Sequence, residues 1–246
     1  MKNFLSKIKS LLYVSMITAF MMPSLAIAQN LDAGLSAGFN LGTPYGVSED
    51  GASGSPGFGP GLGFYIRGRL SMKWQVQAEF LYSKKGSFFQ TPVSGDTIYR
   101  STMNDTIPFS VHTVYNGWVE GHFNNAYLDI PLMFLYETGK RWSLLTGVQF
   151  SYLLKGENKG TADIEVGNPQ NPFTHVEDQV FDQSEHIKKW DYAILLGGKY
   201  KFKDKIDFQA SLSYGLFSIY EEYYKYINKT VRNIYLRIGI LYRMTD

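Results

Sequence analysis

The sequence contains no cysteine, which excludes disulfide bonds, thiolate zinc sites, iron–sulfur clusters and a lipid-modified N-terminal cysteine. It also has little net charge, with 24 basic against 22 acidic side chains, and this balance does not favour a nucleic-acid-binding protein. Only 44% of its residues are hydrophobic, which argues against a bundle of membrane-spanning helices. The 16% of aromatic residues argues against disorder. Its 246 residues therefore suit one large all-β domain or two small domains.

The first 28 residues have the pattern of a cleaved signal peptide. Three lysines precede an apolar run from Leu11 to Ala28, which ends in the small-x-small pattern Ala26-Ile27-Ala28. A retained N-terminal membrane anchor is the alternative. Cleavage before Gln29 would remove three lysines and no acidic residue, leaving 21 of the 24 basic side chains against 22 acidic ones. We expect an exported protein in which residues 29–246 form a single domain.

The remaining chain alternates between apolar and polar residues with the period of a β-strand. Between Leu62 and Leu70, for example, Phe64 and Ile66 alternate with Tyr65 and Arg67. One face of the alternating segments carries no charged, histidine or amide side chain, and each segment is close to the ~9–11 residues of a membrane-spanning strand. Eight such segments are predicted, at 31–41, 61–70, 73–83, 126–137, 142–155, 190–202, 206–217 and 232–244.

The connections between these segments alternate strictly between short and long. Those after the second, fourth and sixth segments contain two to four residues, whereas long ones follow the first, third, fifth and seventh segments, at 42–60, 84–125, 156–189 and 218–231. An even number of strands joined in this way is typical of outer-membrane barrels. The sequence therefore predicts an all-β fold, an eight-stranded antiparallel up-and-down transmembrane β-barrel. It would have four long extracellular loops, three short periplasmic turns and both termini in the periplasm.

A soluble barrel of the lipocalin type would also alternate, with its apolar face turned inward. The composition of the two faces favours the membrane barrel. Small residues on the polar face, such as Gly34, Gly63 and Ser211, suit a narrow interior. Aromatic residues on the apolar face cluster near the segment ends, as expected for two membrane interfaces. They are Trp74, Tyr136, Trp142, Tyr200 and Tyr242 toward the turns, and Tyr82, Tyr152, Tyr192 and Tyr214 toward the loops.

The alternation also directs a set of charged side chains into the barrel interior. Because buried charges persist when they are paired, we expect an ion-pair network that fills and closes the lumen; a polar conduit or proton path is the alternative. The predicted network comprises Arg67, Arg69, Glu79, Asp129, Glu137, Lys199, Lys201, Asp207, Arg237 and Arg243. Pro131 lies within the fourth segment, where its missing N–H predicts a bulge or a bridging water on the lumen side.

Several features of the sequence together resemble those of a known family. The fourth segment opens with Tyr127-Leu128-Asp129-Ile130-Pro131-Leu132, the first two segments are rich in glycine, and the last combines glycine with aromatic residues. With the signal peptide, these features resemble the outer-membrane β-barrel family of the Bacteroidetes that includes the PorT-like proteins. The resemblance covers essentially the whole mature chain. It implies a Gram-negative outer-membrane location and a link, through the founding member, to protein export across that membrane.

No residue pattern predicts a catalytic site, a metal site or a cofactor. The four histidines, His112, His122, His175 and His186, fall in predicted surface loops without a recognisable nucleophile or ligand spacing. Exposed aromatic residues in those loops are better candidates for contact with a partner. They are Phe88, Phe89, Tyr115, Trp118, Phe173 and Phe181.

Four functions remain open for such a barrel, and none involves nucleic acid. The first is a non-enzymatic barrel embedded in outer-membrane lipid, whose surface loops bind an extracellular protein, a polysaccharide or a host surface. The second is an accessory subunit of an outer-membrane protein-export system. An outer-leaflet enzyme that modifies lipid A and a small porin are less favoured, because the histidines are misplaced and eight strands leave little open interior.

Overall fold

The computed structural model describes residues 31–45, 53–104, 107–168, 171–221 and 231–245. The predicted signal peptide lies outside the described residues. Among the described residues, no helix is long and apolar enough to cross a membrane. Within the described ranges, the one short helix is a 3-10 turn at Ser184–His186. The strands are β1 Leu31–Tyr45, β2 Ser53–Arg69, β3 Trp74–Asn104, β4 Ile107–Glu137, β5 Trp142–Lys155, β6 Asn158–Asn168, β7 Asn171–Asp182, β8 Trp190–Lys203, β9 Ile206–Gly215 and β10 Arg232–Arg243.

Eight of these strands form a closed antiparallel ring. The hydrogen-bonded order is β3-β2-β1-β10-β9-β8-β5-β4, and a further pairing of β3 with β4 closes it. The first and last strands of the ring, β1 and β10, pair from Gly34↔Arg243 to Tyr45↔Arg232. Short turns join β2 to β3, β4 to β5, and β8 to β9, as the sequence predicts. The predicted eight-stranded up-and-down barrel is confirmed.

The apolar face of the barrel is turned outward. In β10, Leu236, Ile238 and Ile240 are exposed, whereas Asn233 and Tyr235 are buried. The lipocalin alternative, which requires the apolar face inside, is therefore wrong. Aromatic side chains pair at both rims of this apolar band, with ring centroids 4.9 Å apart for Trp74–Tyr136, 4.8 Å for Trp142–Tyr200 and 4.9 Å for Tyr152–Trp190. Such aromatic rims are typical of membrane barrels.

Three of the predicted long loops are mostly strand, and in the one at 42–60 β1 continues to Tyr45 and β2 begins at Ser53. The predicted loop at 84–125 consists largely of the outer parts of β3 and β4, which contain 31 residues each, about three times the length that crosses a bilayer. The predicted loop at 156–189 contains the hairpin of β6 and β7. The sequence prediction stopped these strands too early, because their outer parts mix polar residues into both faces.

The β6–β7 hairpin continues the barrel wall outward. β4 pairs through one edge with β5 as far as Ala126↔Lys155, and the same edge then pairs with β6 from Phe123↔Asn158. The intervening Asn124 N–H donates to the Glu157 carbonyl at 2.9 Å, so the ladder is not broken between the two strands. β3, β4, β6 and β7 together form a sheet beyond the loop rim of the barrel, named here the extended sheet.

Pro131 causes no bulge. The residues before and after it pair with β5 in one register, at Ile130↔Phe150 and Leu132↔Val148. The only register shift between the described parts of β4 and β5 lies at Ala126/Tyr127. On the β3 side the register is the same at Ala78↔Leu132 and Leu81↔Asp129. Of the two expected local solutions the bulge is wrong, and the bridging water stays a prediction.

Candidate functional sites in the lumen and on the extended sheet

A glutamate lies at the centre of the lumen without any exposed surface. The Glu79 carboxylate accepts hydrogen bonds from Arg237 Nη1 at 2.7 Å and Ser36 Oγ at 3.0 Å. Gln77 Nε2 and Gln209 Nε2 each donate to its other oxygen at 2.8 Å. These donors come from β10, β1, β3 and β9, so side chains from four strands meet across the interior. The barrel is filled at this level by a hydrogen-bonded polar cluster, which we call the central cluster.

A second charged pair lies nearer the extended sheet. Lys85 Nζ donates to Asp129 Oδ1 at 2.9 Å, and both side chains are almost fully buried. The ammonium also lies 4.6 Å from the ring centroid of Tyr127 and 5.8 Å from that of Tyr235. A cation between aromatic faces and a carboxylate is well compensated for its loss of water. The Lys85–Asp129 pair therefore fills a second level of the lumen.

A third group of charges lies toward the short turns. Arg67 Nη1 contacts Asp207 Oδ2 at 2.8 Å, and Arg67 Nη2 contacts Asp32 Oδ2 at 3.2 Å. Lys199 Nζ lies 3.6 Å from the same Asp207 oxygen. Two cations and two carboxylates therefore share one ion-pair network at this level of the lumen, in which Asp32 is the partly exposed member.

The ten charged residues predicted for the lumen separate into two sets. Arg67, Glu79, Asp129, Lys199 and Asp207 are buried, and Arg237 is largely so. Arg69 and Lys201 were predicted inside, but their side chains are 48% and 44% exposed because they lie at strand ends near the mouth. Glu137 and Arg243 also lie at this mouth, half-buried, and Arg69 Nη2 contacts Glu137 Oε1 at 3.1 Å.

Three lumen charges were missed by the sequence prediction. Lys85 fell in a segment predicted as loop, although its odd position continues the lumen face of β3. Asp32 and Asp191 lie within predicted strands at lumen positions of the alternation. Extending each strand until its alternation fails would have found Lys85, and reading every lumen position of the predicted strands for charge would have found Asp32 and Asp191.

We expect the purified barrel to conduct no ions through its lumen. Three levels of buried, mutually bonded side chains leave no continuous water path through an eight-stranded barrel. After insertion into a planar bilayer, the current should stay at the level of the protein-free membrane, while an open porin inserted in the same way serves as the positive control. Reproducible single-channel steps would contradict a closed lumen.

The extended sheet presents a mixed aromatic and polar outward face. On this face Phe88 of β3 lies opposite His122 of β4, with ring centroids 6.4 Å apart, and Lys159 of β6 follows His122 in the same cross-strand row. In the next row Gln90 Nε2 donates to Glu120 Oε1 at 2.6 Å. A groove of about 630 Å³ runs along these rows.

The edge of this groove is formed by β7. Lys159 Nζ lies 3.4 Å from Asp182 Oδ2. Hydrogen bonds from the hydroxyl and backbone N–H of Ser184 hold the pKa of the Asp182 carboxyl below its ordinary value, and Lys159 adds to this effect. The carboxylate is therefore charged at neutral pH and keeps the ammonium of Lys159 beside the groove.

The six aromatic residues predicted as loop contacts have different positions. Phe88 is 65% exposed and Trp118 is 45% exposed, both on the outward face. Phe89 was predicted to be exposed and available to a partner, but it faces inward and packs against Phe123 at a centroid distance of 5.2 Å. The backbones of Tyr115, Phe173 and Phe181 lie in β4 and β7, and their side chains lie outside the described residues.

His175 is paired with a carboxylate in the described part of the chain. His175 Nε2 lies 3.4 Å from Glu177 Oε1, and both side chains are exposed. Among the described residues, no group of three or more histidine, aspartate or glutamate side chains could hold a metal ion.

The closed antiparallel ring, its outward apolar band and its polar interior define an outer-membrane β-barrel protein. The family model of the outer membrane protein beta-barrel domain matches residues 27–221, and the chain belongs to this family. No curated protein matches the chain.

Several solved structures are similar to this chain at low identity. Ail, the attachment invasion locus protein of Yersinia pestis, is 17% identical with a TM-score of 0.43, over 87% of this chain and 99% of Ail. Neisserial surface protein A is 12% identical with a TM-score of 0.35, over 87% of this chain and 97% of that protein. The translocator domain of the autotransporter NalP from Neisseria meningitidis is 12% identical with a TM-score of 0.28, over 94% and 98% of the two chains.

Proposed function

We propose that this protein is a non-enzymatic surface-binding barrel of the PorT-like type, which holds an extracellular polysaccharide on the outward face of its extended sheet. The lumen serves as a rigid, closed support. The observation that carries the proposal is the row of exposed aromatic and polar side chains on the outer parts of β3, β4 and β6. A membrane component without a ligand would not need strands about three times as long as the segment that crosses the bilayer.

The connections support an orientation of the barrel as part of this proposal. Short turns of outer-membrane barrels lie in the periplasm and long connections lie outside the cell. With the turns of this chain in the periplasm, both termini are periplasmic, in agreement with export by an N-terminal signal peptide. The extended sheet is then on the cell surface, where it meets large extracellular molecules.

The chemistry of the outward face favours a polysaccharide over a protein. Sugar rings have apolar C–H faces, which stack on aromatic rings such as Phe88 and Trp118, and hydroxyl edges, which bond to amides and carboxylates such as Gln90 and Glu120. The centre of a protein–protein interface is depleted in charged residues. Here, by contrast, the ion pair of Lys159 with Asp182 lies beside the aromatic rings.

The double variant Phe88→Ser/Trp118→Ser tests the proposal. Loss of both stacking faces should weaken binding to immobilised bacterial and host-surface polysaccharides at least about tenfold, equivalent to about 1.4 kcal/mol. Binding is measured with the full chain in detergent on a glycan array. Heat-dependent gel mobility shows whether each variant retains the barrel.

Met72→Ser is the matched control, because Met72 is a highly exposed apolar side chain in the turn at the opposite end of the barrel. It should leave polysaccharide binding unchanged. Equal binding by the double variant and the wild type would contradict the proposal. Crosslinking in native outer membrane that captures export proteins, with no glycan retained on the array, would instead indicate the accessory export subunit implied by the PorT-like resemblance.

A further inference from the structure

A half-enclosed cavity of about 560 Å³ opens at the short-turn end of the lumen, below the ion-pair network of Arg67 and Asp207. It is separate from the extended sheet, which lies at the other end of the barrel. We call this cavity the turn-side vestibule. Its volume is within the range of about 300–1,000 Å³ that is usual for small-molecule sites.

The walls of the vestibule are strongly basic. Seven of its lining residues are lysine or arginine, and three are aspartate or glutamate. The basic residues are Arg67, Arg69, Lys140, Arg141, Lys199, Lys201 and Arg243. Like charges confined in a cleft with low-dielectric walls produce a strong local potential, which concentrates ions of opposite charge.

The three acidic residues of the wall do not neutralise these cations. Asp207 already contacts both Arg67 and Lys199, and Asp32 contacts Arg67. Glu137 accepts a hydrogen bond from Arg69. Each acidic side chain is therefore occupied by at least one cation, and the other basic side chains keep donor capacity toward the cavity.

Two basic residues have donor groups that the described residues leave open. Arg243 Nε is buried and has no hydrogen-bond partner among the described residues, its closest carboxylate being Asp32 at 3.8 Å. Lys140 is exposed in the turn after β4 and forms no ion pair with any described residue. A buried donor without an acceptor is unfavourable unless a ligand or water satisfies it.

We propose that the turn-side vestibule binds a phosphate group carrying two or more negative charges, with Arg243 and Lys140 as its principal ligands. Arginine and lysine are the side chains that bind phosphate, arginine through a fixed fork of donors and lysine as a point charge. A multiply charged anion also offsets the excess of basic residues, which a single carboxylate would not. The phosphate would enter from the periplasmic side.

Inorganic pyrophosphate is the probe for this site. Thermal unfolding of the full chain in an uncharged detergent is followed at constant ionic strength, with pyrophosphate replacing chloride. A ligand that binds only the folded state raises the unfolding temperature in a saturable way. The wild type should show this rise, and Arg243→Gln and Lys140→Gln should each weaken the apparent affinity at least about tenfold.

The double variant Lys84→Gln/Lys155→Gln is the matched control, since both side chains are exposed near the opposite rim. It removes two positive charges, one more than either vestibule variant, without touching the vestibule, and it should bind pyrophosphate as the wild type does. Lys140→Gln keeps the test valid if Arg243→Gln does not fold, because Lys140 lies in an exposed turn. Equal protection in all variants, or no protection of the wild type by either pyrophosphate or a phosphate-bearing lipid, would overturn the proposal.

A second arm distinguishes a lipid phosphate from a soluble one. The barrel is placed in nanodiscs of neutral phosphatidylcholine, with or without lipid carrying a phosphomonoester headgroup, and unfolded in the absence of pyrophosphate. Protection by the charged lipid that is lost in Lys140→Gln identifies a headgroup of the surrounding leaflet as the source. Protection by pyrophosphate alone identifies a soluble phosphate compound. Both results support a phosphate site, and failure of both overturns it.

Discussion

Replacement of Arg237 by Met is expected to lower the free energy of unfolding of the barrel by about 3–5 kcal/mol. The substitution removes the 2.7 Å contact to Glu79, whose side chain has no exposed surface. The carboxylate would keep its bonds to Ser36, Gln77 and Gln209 but lose the only cation of the central cluster. An uncompensated buried charge accounts for most of the expected loss. Urea unfolding in detergent micelles, followed by tryptophan fluorescence, measures it.

Two further variants separate this effect from a general loss of charge. Arg69→Gln removes an ion pair whose arginine is about half exposed, so it should cost less than about 1 kcal/mol. Adding Glu79→Gln to Arg237→Met removes the stranded charge and should recover a large part of the lost stability. If Arg237→Met and Arg69→Gln cost the same, the central cluster is not a desolvated network.

Alanine at Gly197 is expected to destabilise the barrel by about 3 kcal/mol. A Cβ built at this position would lie 2.1 Å from the Ala210 carbonyl oxygen and 2.7 Å from Ser211 Cα. Both are backbone atoms of β9, so no side-chain rotation relieves the contact, and β8 and β9 would have to separate. The same urea titration measures the loss, and heat-dependent gel mobility shows whether the barrel still closes.

The neighbouring Gly198 provides the control on the opposite face of the same strand. A Cβ at Gly198 would lie 3.6 Å from its nearest contact, the Ser143 carbonyl oxygen, which is an ordinary van der Waals distance. Gly198→Ala should therefore be neutral or stabilising by up to about 1 kcal/mol, because alanine restricts the unfolded chain. Similar losses for both variants would show that strand propensity, and not the approach of β9, determines the effect.

The barrel itself was predictable because its pattern is local. In β10 every second residue from Ile234 to Tyr242 is apolar, and two-residue alternation with a lipid-covered face leaves one register for the whole strand. The extended sheet was not predictable in this way. Outside the membrane neither face of the sheet meets lipid, so Gln90, Glu120 and Lys159 on its outward face lack the apolar signal that marks a lipid-facing position.

The residues of the lumen were partly predictable, but their partners were not. The alternation assigns Arg237 and Glu79 to the interior from their own segments alone. Their contact joins residues that are 158 positions apart, and it depends on the relative stagger of β3 and β10 around the ring. Strand ends were a second source of error, because a side chain such as Lys201 that leaves the barrel mouth meets solvent again.

The seam of the ring also constrains the order in which the protein can be assembled. β1 pairs with β10, and Ser36 near the start of the described chain contacts Arg237 near its end, 201 positions away. Hairpins such as β8–β9 can form from neighbouring residues, whereas this seam has the largest loop-closure entropy in the molecule. The outer edge of β1 must therefore stay unpaired until the last strand has been delivered. During that interval it exposes a row of backbone donors and acceptors, which makes assembly dependent on protection of one strand edge.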